Sequence, residues 1–510
     1  MKKITMFLAA LAAAMPLMAQ TKVSIHEEAE NQPIIPAEIY GQFSEHLGRC
    51  IYEGIWVGKD SPIPNTDGYR NDILQALIDL KVPVLRWPGG CFADEYHWMD
   101  GIGPQESRRK IVNTNWGGTL EDNSFGTHEF FNLCELIGAE PYLSANVGSG
   151  TVEEMAKWIE YITAKEGSMA ELRAQNGRKE PWHLKYLGVG NESWGCGGNM
   201  HAQYYADVYR RYSLYARNFN GNRLYKVACG ASDYNYDWTK VLMDQARNTM
   251  DGLSLHYYTV HKWDEKGSAT EFNEDEYYNC ITKACEVEEV LRNHIDVMDA
   301  YDKKGRVGLI LDEWGTWFDV EPGTKGGWLY QQNTMRDAIV AGLSLNIFNK
   351  MTRRLQMANI AQMVNVLQAM ALTDGDRMLL TPTYHVFRMY NVHQDALFVP
   401  SDYKAGEIVS ETGRRCADLS VSTSRDRHGV LHVSIVNPSL AKAKKLTLAF
   451  DKLKPASVEG EILATDDIHD HNTFENSELV APKAFDGAKI KGRNINLTIP
   501  AASVIVLEIK

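Results

Sequence analysis

Tyr186-Leu-Gly-Val-Gly190, running straight into Asn191-Glu192-Ser193-Trp194, decides how the rest of the chain reads. An uncharged run of strand length, closed by glycine and followed at once by polar groups, is the pattern of a strand buried on both faces. Similar runs stand at Val82-Pro-Val-Leu-Arg86, Pro141-Tyr-Leu-Ser-Ala-Asn146, Lys226-Val-Ala-Cys-Gly230, Gly252-Leu-Ser-Leu-His256 and Val307-Gly-Leu-Ile-Leu311. Between them lie amphipathic, helix-period stretches: Asp72 to Asp79, Thr127 to Ile137, Val152 to Ile162, Ala202 to Asn218 and Glu286 to Asp299. Repeated strand–helix units from about residue 38 to residue 385 predict an α/β domain with a parallel sheet, and the length fits a closed (β/α)8 TIM barrel. A doubly wound open sheet is the alternative. No GxGxxG or GxxxxGK[ST] follows any of the strands, which removes the usual nucleotide-cofactor reason for preferring it.

After about Val386 the texture changes. Leu431-His-Val-Ser-Ile-Val436, Leu446-Thr-Leu-Ala-Phe450, Ile495-Asn-Leu-Thr-Ile499 and Val504-Ile-Val-Leu-Glu-Ile509 have strand length, and turn residues such as Asn437-Pro438 and Lys491-Gly492-Arg493-Asn494 separate them. Short strands without intervening helices predict an all-β sandwich. Lys22 to His26 is also strand-like and is expected to pair with it. The expected division is therefore a signal peptide over 1–20, an N-terminal strand within 21–37, a catalytic barrel over 38–385 and a β-sandwich over 386–510.

The 510 residues carry 53 Lys+Arg against 66 Asp+Glu, a formal net charge of −13. An acidic chain with no long Lys/Arg cluster is not a nucleic-acid binder that works by neutralising phosphates. With 44% hydrophobic and 23% charged residues it has the composition of a globular protein, not of a disordered one. Lys2 and Lys3, the apolar run Phe7 to Met18, and the small-residue site around Ala19 predict a secretory signal peptide, hence an exported, periplasmic or secreted protein. No other run is long enough to span a membrane, so no membrane partner is expected. The eight cysteines are spread thinly and show no zinc-ligand spacing, so buried free thiols are expected. A Cys280–Cys285 bridge is left open.

Chemistry is sought at strand ends, because polar residues there face the mouth of a barrel. Asn191-Glu192 ends one predicted strand, and Asp312-Glu313-Trp314-Gly315-Thr316-Trp317 ends another. Two carboxylates so placed suit glycoside hydrolysis, in which one protonates the departing oxygen while the other attacks the anomeric carbon or activates water. Helix capping is the plainer reading of each. A second Asn-Glu pair, Asn273-Glu274, lies in the acidic run Glu271 to Glu276 and reads as a solvated face.

At this point the residues resemble a family. Tyr40-Gly-Gln-Phe-Ser-Glu-His-Leu-Gly-Arg49 with Ile51-Tyr-Glu-Gly-Ile55, Leu85-Arg-Trp-Pro-Gly-Gly-Cys-Phe92, Leu187-Gly-Val-Gly-Asn-Glu192, His256-Tyr-Tyr258, Asp312-Glu-Trp314 and Ala358-Asn-Ile-Ala-Gln-Met-Val-Asn-Val366 stand in the order found in the α-L-arabinofuranosidases of glycoside hydrolase family 51. The resemblance implies retaining, exo-acting release of terminal arabinofuranosyl residues from hemicellulose or pectin side chains or their oligosaccharides. It implies Glu192 as acid/base and Glu313 as nucleophile, on the fourth and seventh barrel strands. Asn191 resembles the ligand of the sugar 2-hydroxyl, and His256 and Tyr258 match an H-x-Y motif whose phenol bonds the nucleophile. Glu45, Arg86, Cys91 and Gln362 occupy positions used around the bound furanose, Cys91 as a thiol packed on the sugar. For Arg86 a buried ion pair with a carboxylate, Glu45 among them, stands beside direct substrate contact, and Gln368 competes with Gln362. Trp116 and Trp317 are expected to form a platform for the aglycone sugar, with core packing as the other reading.

The family implies no metal and no cofactor, and a homo-oligomer, often a hexamer. Gly315 departs from the pattern, since many members carry Asn there, and the segment Glu271 to Glu276 is another place where this chain differs. Two other readings remain: a related retaining barrel endo-glycosidase of glucanase or xylanase type, and a non-catalytic carbohydrate-binding protein, which would lack one of the two carboxylates.

Overall fold

The structure, a computed structural model, describes residues 20–510; the expected signal peptide lies almost wholly outside them. Eight strands, β1 (Gly41–Phe43), β2 (Val84–Trp87), β3 (Glu140–Ala145), β4 (Tyr186–Val189), β5 (Tyr225–Ser232), β6 (Gly252–Thr259), β7 (Gly308–Thr316) and β8 (Leu355–Ile360), close into a barrel. Each strand is parallel to both neighbours, β8 to β1 included. The closed barrel thus takes the place of the open-sheet alternative. Its interior is plugged by Val84, Tyr142, Tyr186, Val227, Ile310 and Met357, all buried, so it is a packed core and not a channel.

Helices follow the strands as the patterning requires. Thr151 caps the helix Val152–Thr163 by accepting the Glu154 N–H at 3.1 Å, and Thr381 caps Pro382–Tyr390, whose proline occupies the first turn. In Met335–Lys350 every residue but Lys350 is buried, because the helix lies between the barrel and the second domain. Asn273 and Glu276 form a reciprocal capping box at the start of Glu274–Cys285, at 3.0 and 2.7 Å. The second Asn-Glu pair is therefore a helix N-terminus.

The C-terminal domain is two facing sheets. One pairs Thr21–Ile25 parallel to Lys444–Phe450 and antiparallel to Ser401–Tyr403, and continues through Asn494–Ile499. The other is built on Ser420–Arg425, Leu431–Asn437, Ser503–Ile509 and Val458–Leu463. Val23, Ile25, Leu446, Leu448, Ile435, Ile505 and Leu507 fill the space between the sheets. The outer faces of Leu431–Asn437 and Ser503–Ile509 put Val436, Val504 and Val506 into the apolar cluster that surrounds the barrel, so the two domains share packing. The helix Pro382–Tyr390 runs across residue 385, where the texture of the sequence changes. Among the described residues no helix is long and apolar enough to cross a membrane.

Candidate active site

The residues expected at the site converge at the C-terminal mouth of the barrel. Glu45 follows β1, Arg86 lies in β2, Asn191 and Glu192 follow β4, His256 and Tyr258 end β6, Glu313 is in β7 and Gln362 follows β8. All of them except Arg86 and His256 line a cleft of about 250 Å³ walled by Trp116, Trp194, Trp263, Trp317, Leu329 and Leu367. This is compact beside the roughly 300–1,000 Å³ of pockets for larger ligands, and suits a single sugar ring.

Glu313 is held from both sides. Arg86 Nη1 donates to its Oε1 at 2.8 Å and the Tyr258 hydroxyl donates to its Oε2 at 2.7 Å. Burial and the Glu313 charge push the Tyr258 phenol well above its usual pKa, so it stays a donor. Arg86 also donates to Asn191 Oδ1 at 2.6 Å and faces Asp312 at 3.6 Å. Of the two readings of Arg86, the structure displays the buried ion pair, with Glu313 and Asp312 as partners in place of Glu45.

Glu192 meets Glu313 at one ring nitrogen of His256, and Asp312 faces the other. His256 Nδ1 is 2.8 Å from Glu192 Oε1 and 3.4 Å from Glu313 Oε2, while Nε2 is 3.2 Å from Asp312. Burial works against a charge on His256, but the Glu313 charge and the bonds to Asp312 and Glu192 outweigh it and raise its pKa to about 10. Burial raises the Glu192 pKa above the usual carboxylate value against the pull of His256. Asp312, buried too, is held low by Arg86 and His256. One oxygen each of Glu192 and Glu313 and a ring nitrogen of His256 lie within 4.8 Å of one another. Glu192 adopts φ 40°, a left-handed conformation rare for a residue with a side chain.

Glu45 forms the third carboxylate of the cleft. It accepts from the Phe92 N–H at 3.1 Å, the Trp116 indole at 2.8 Å and the Gln362 amide at 2.7 Å. Burial and the Glu313 charge raise its pKa to about 7. The Gly89-Gly90 turn exists for this contact: a Cβ on Gly90 would stand 2.7 Å from both Glu45 oxygens. Gln368, the competitor of Gln362, is spent on the Thr316 N–H and the Asp337 carbonyl, at 2.9 Å each. Gly315 sits at φ 144°, where any side chain is strained, so the backbone of this chain requires glycine there.

One expectation is corrected. Cys91 is bonded to Cys196 in a disulfide across a separation of 105 residues, so it offers no thiol to a sugar. The other six cysteines are free, Cys280 and Cys285 included. The Cys196 sulfur lies 3.6 Å from Glu192 Oε2; a disulfide sulfur has no proton, so this is a contact and not a hydrogen bond.

Sequence reasoning passed over Asp94 and Trp263. Asp94, on the short turn Cys91–Asp94, is buried and accepts the N–H groups of Val147 and Gly148 at 2.9 and 2.8 Å and of Asn191 at 3.2 Å. It ties the turn after β2 to the loops after β3 and β4, and burial raises its pKa to about 7. Trp263 is exposed and meets Trp317 edge-to-face at 5.3 Å, while Trp317 meets Tyr258 at 5.0 Å. Its only signal was its place in a loop after a predicted strand.

Among the described residues, two groups of side chains converge closely enough to hold a cation: Glu192, His256 and Glu313, and Cys91, Glu192 and Cys196. In the first, His256 is already engaged, its Nδ1 at 2.8 Å from Glu192 and 3.4 Å from Glu313 and its Nε2 at 3.2 Å from Asp312. In the second the sulfurs are bonded to each other.

An eight-stranded barrel with two carboxylates converging on one imidazole nitrogen at its C-terminal mouth has the equipment of a glycoside hydrolase. Residues 76–289 match the family model described as alpha-L-arabinofuranosidase 1 domain, and residues 312–503 the model described as alpha-L-arabinofuranosidase C-terminal domain. The chain is 57% identical to an intracellular exo-alpha-L-arabinofuranosidase of Bacteroides ovatus, over 100% of this chain and 99% of the relative. It superposes on the GH51 arabinofuranosidase of Xanthomonas axonopodis pv. citri with a TM-score of 0.95 at 44% identity, covering 96% and 100% of the two chains. The alpha-L-arabinofuranosidase of Thermotoga maritima in its arabinose complex gives a TM-score of 0.85 at 30% identity, over 96% and 99%. The chain belongs to the α-L-arabinofuranosidases of glycoside hydrolase family 51.

The expectation of an exported, periplasmic or secreted protein is corrected by the same comparison. The Bacteroides ovatus relative, aligned over the whole chain, is named as an intracellular enzyme. A basic start with a dozen apolar residues is a signal of composition alone, and it is outweighed by a full-length relative at this identity.

Proposed function

We propose that Glu313 and Glu192 carry out a retaining double displacement on terminal α-L-arabinofuranosyl groups. Glu313, fixed between Arg86 and Tyr258, attacks the anomeric carbon and forms a glycosyl ester. Glu192 gives its proton to the departing oxygen, then takes one from the incoming water. The observation that carries this reading is the approach of the two carboxylates to within 4.8 Å, with His256 in reach of both. A retaining pair stands about 5–5.5 Å apart, whereas an inverting pair needs about 6.5–9.5 Å to admit water. Asn191, locked by Arg86, faces the sugar 2-hydroxyl. Glu45, with Trp116 and Gln362 behind it, binds the remaining hydroxyls. The small cleft supports an exo mode, and Trp317 with Trp263 supplies the wall for the aglycone of arabinan, arabinoxylan or their oligosaccharides. A homo-oligomer, often a hexamer in this family, belongs to the same reading; a mass of 57.5 kDa in light scattering would remove it.

Glu313→Ala should abolish hydrolysis of 4-nitrophenyl α-L-arabinofuranoside. Glu192→Ala should lose about 10²–10⁴-fold on substrates with a poor leaving group and little on an activated one, with azide restoring turnover. Substantial activity in Glu313→Ala would overturn the assignment of the nucleophile.

A further inference from the structure

The disulfide Cys91–Cys196 stands where the mechanism has no use for it, against the carboxylate proposed as acid/base. Its two arms are tethered to each other without the sulfur bond. Asp94, at the end of the turn that Cys91 begins, accepts the Asn191 N–H at 3.2 Å. The Gly195 and Gly197 amides donate to the Glu192 carbonyl at 2.6 and 3.1 Å, which folds the Cys196 loop back on Glu192. Reduction therefore leaves two thiols side by side with a carboxylate.

We propose that the reduced Cys91–Cys196 pair and Glu192 form a three-ligand site for a thiophilic divalent cation, zinc being the probe, and that the ion blocks catalysis by engaging Glu192. Zinc takes thiolate at about 2.3 Å and carboxylate at about 2.0–2.2 Å in tetrahedral array, which sets a sulfur–oxygen edge of about 3.5 Å. The Cys196 sulfur already lies 3.6 Å from Glu192 Oε2, and all three ligand atoms lie within 4.8 Å of one another. Cys196 is exposed and Cys91 borders the cleft, so the ion has an entry path, and a water completes its shell. Soft sulfur ligands select zinc over magnesium or calcium. A phosphine passes two electrons to the sulfur pair, water supplies the two thiol protons and the oxygen of the phosphine oxide, and zinc binding then displaces both thiol protons.

The inhibition rests on Glu192 as acid/base; the binding does not. The experiment uses the full chain, oxidised or reduced with a phosphine, titrated with zinc in the arabinofuranoside assay and separately with cobalt(II) in the spectrophotometer. Reduced protein should lose more than about tenfold of its activity at micromolar zinc and regain it with EDTA, while oxidised protein keeps its rate. Reduced Cys91→Ser and Cys196→Ser, each compared with its own zinc-free rate, should need at least about tenfold more zinc. Cobalt should give a thiolate charge-transfer band in reduced protein alone. Equal inhibition of oxidised protein or of the serine variants overturns the site and points to Glu192, His256 and Glu313. Absence of the cobalt band overturns it as well. A cobalt band with full activity under zinc overturns the blockade and reopens the assignment of Glu192.

Discussion

Tyr258 shows how much one atom contributes at the residue scale. Its hydroxyl is one of two groups holding Glu313, and a hydrogen bond to a buried charged group contributes about 1.5–3 kcal/mol. Tyr258→Phe should therefore lower kcat by roughly 10- to 150-fold, with KM little changed, because the phenol touches the attacking carboxylate and not the leaving sugar. Steady-state kinetics on an aryl arabinofuranoside decides it. Much of this site was legible in the chain. Glu192 and Glu313 each follow an uncharged run, and the barrel topology dictates where such residues point. The disulfide was not legible, since Cys91 and Cys196 are 105 residues apart and the pairing exists only once two loops meet. Asp94 carried no pattern either, because its role lies in accepting three backbone N–H groups that the fold brings to it.

At the scale of elements, the helix Met335–Lys350 joins the two domains through polar side chains set in apolar packing. Asn346 accepts from Ser434 at 2.7 Å and donates to Ser420 at 3.2 Å; Asn349 donates to Ser422 at 3.3 Å and accepts from Tyr40 at 3.0 Å. Asn346→Ala leaves two buried hydroxyls short of a partner, at a cost of about 1–3 kcal/mol, and lowers Tm while the aryl-arabinofuranoside rate per folded molecule holds. A thermal melt beside an active-site titration measures both. The inner barrel strands read clearly from sequence because they are nearly continuous in apolar residues. β1 did not, being three residues long, and β8 reads Leu-Gln-Met-Ala-Asn-Ile, whose Gln356 and Asn359 break the apolar run.

At the scale of the whole molecule, the raised acids of the cleft make stability depend on pH. Glu45 keeps its proton to about pH 7 against an ordinary 4.5, and Asp94 to about 7 against 3.8. Between those values the folded chain holds protons that the unfolded chain has released, so stability falls as pH rises. His256, raised to about 10 from 6.5, adds stability that is complete below pH 6.5 and is lost as pH climbs through 10. Burial holds His128, His294 and His385 near 4 and His393 near 3, which works the other way below pH 6.5, so Tm should fall from about pH 7 to pH 9 and not below that range. Glu45→Gln, with no proton to lose, should raise Tm at pH 7 relative to pH 5, compared with the parent chain, by an amount on the order of a few degrees, read by differential scanning calorimetry. The N-terminal strand sets a different limit, one of timing. Gln20 donates to Thr447, 427 residues further on, and Thr21–Ile25 lies parallel to Lys444–Phe450. At about 5–20 residues per second the ribosome emits this strand roughly 20–80 s before its partner exists. Throughout that interval Val23 and Ile25 have no sheet to enter, so a segment made early is among the last to find its place.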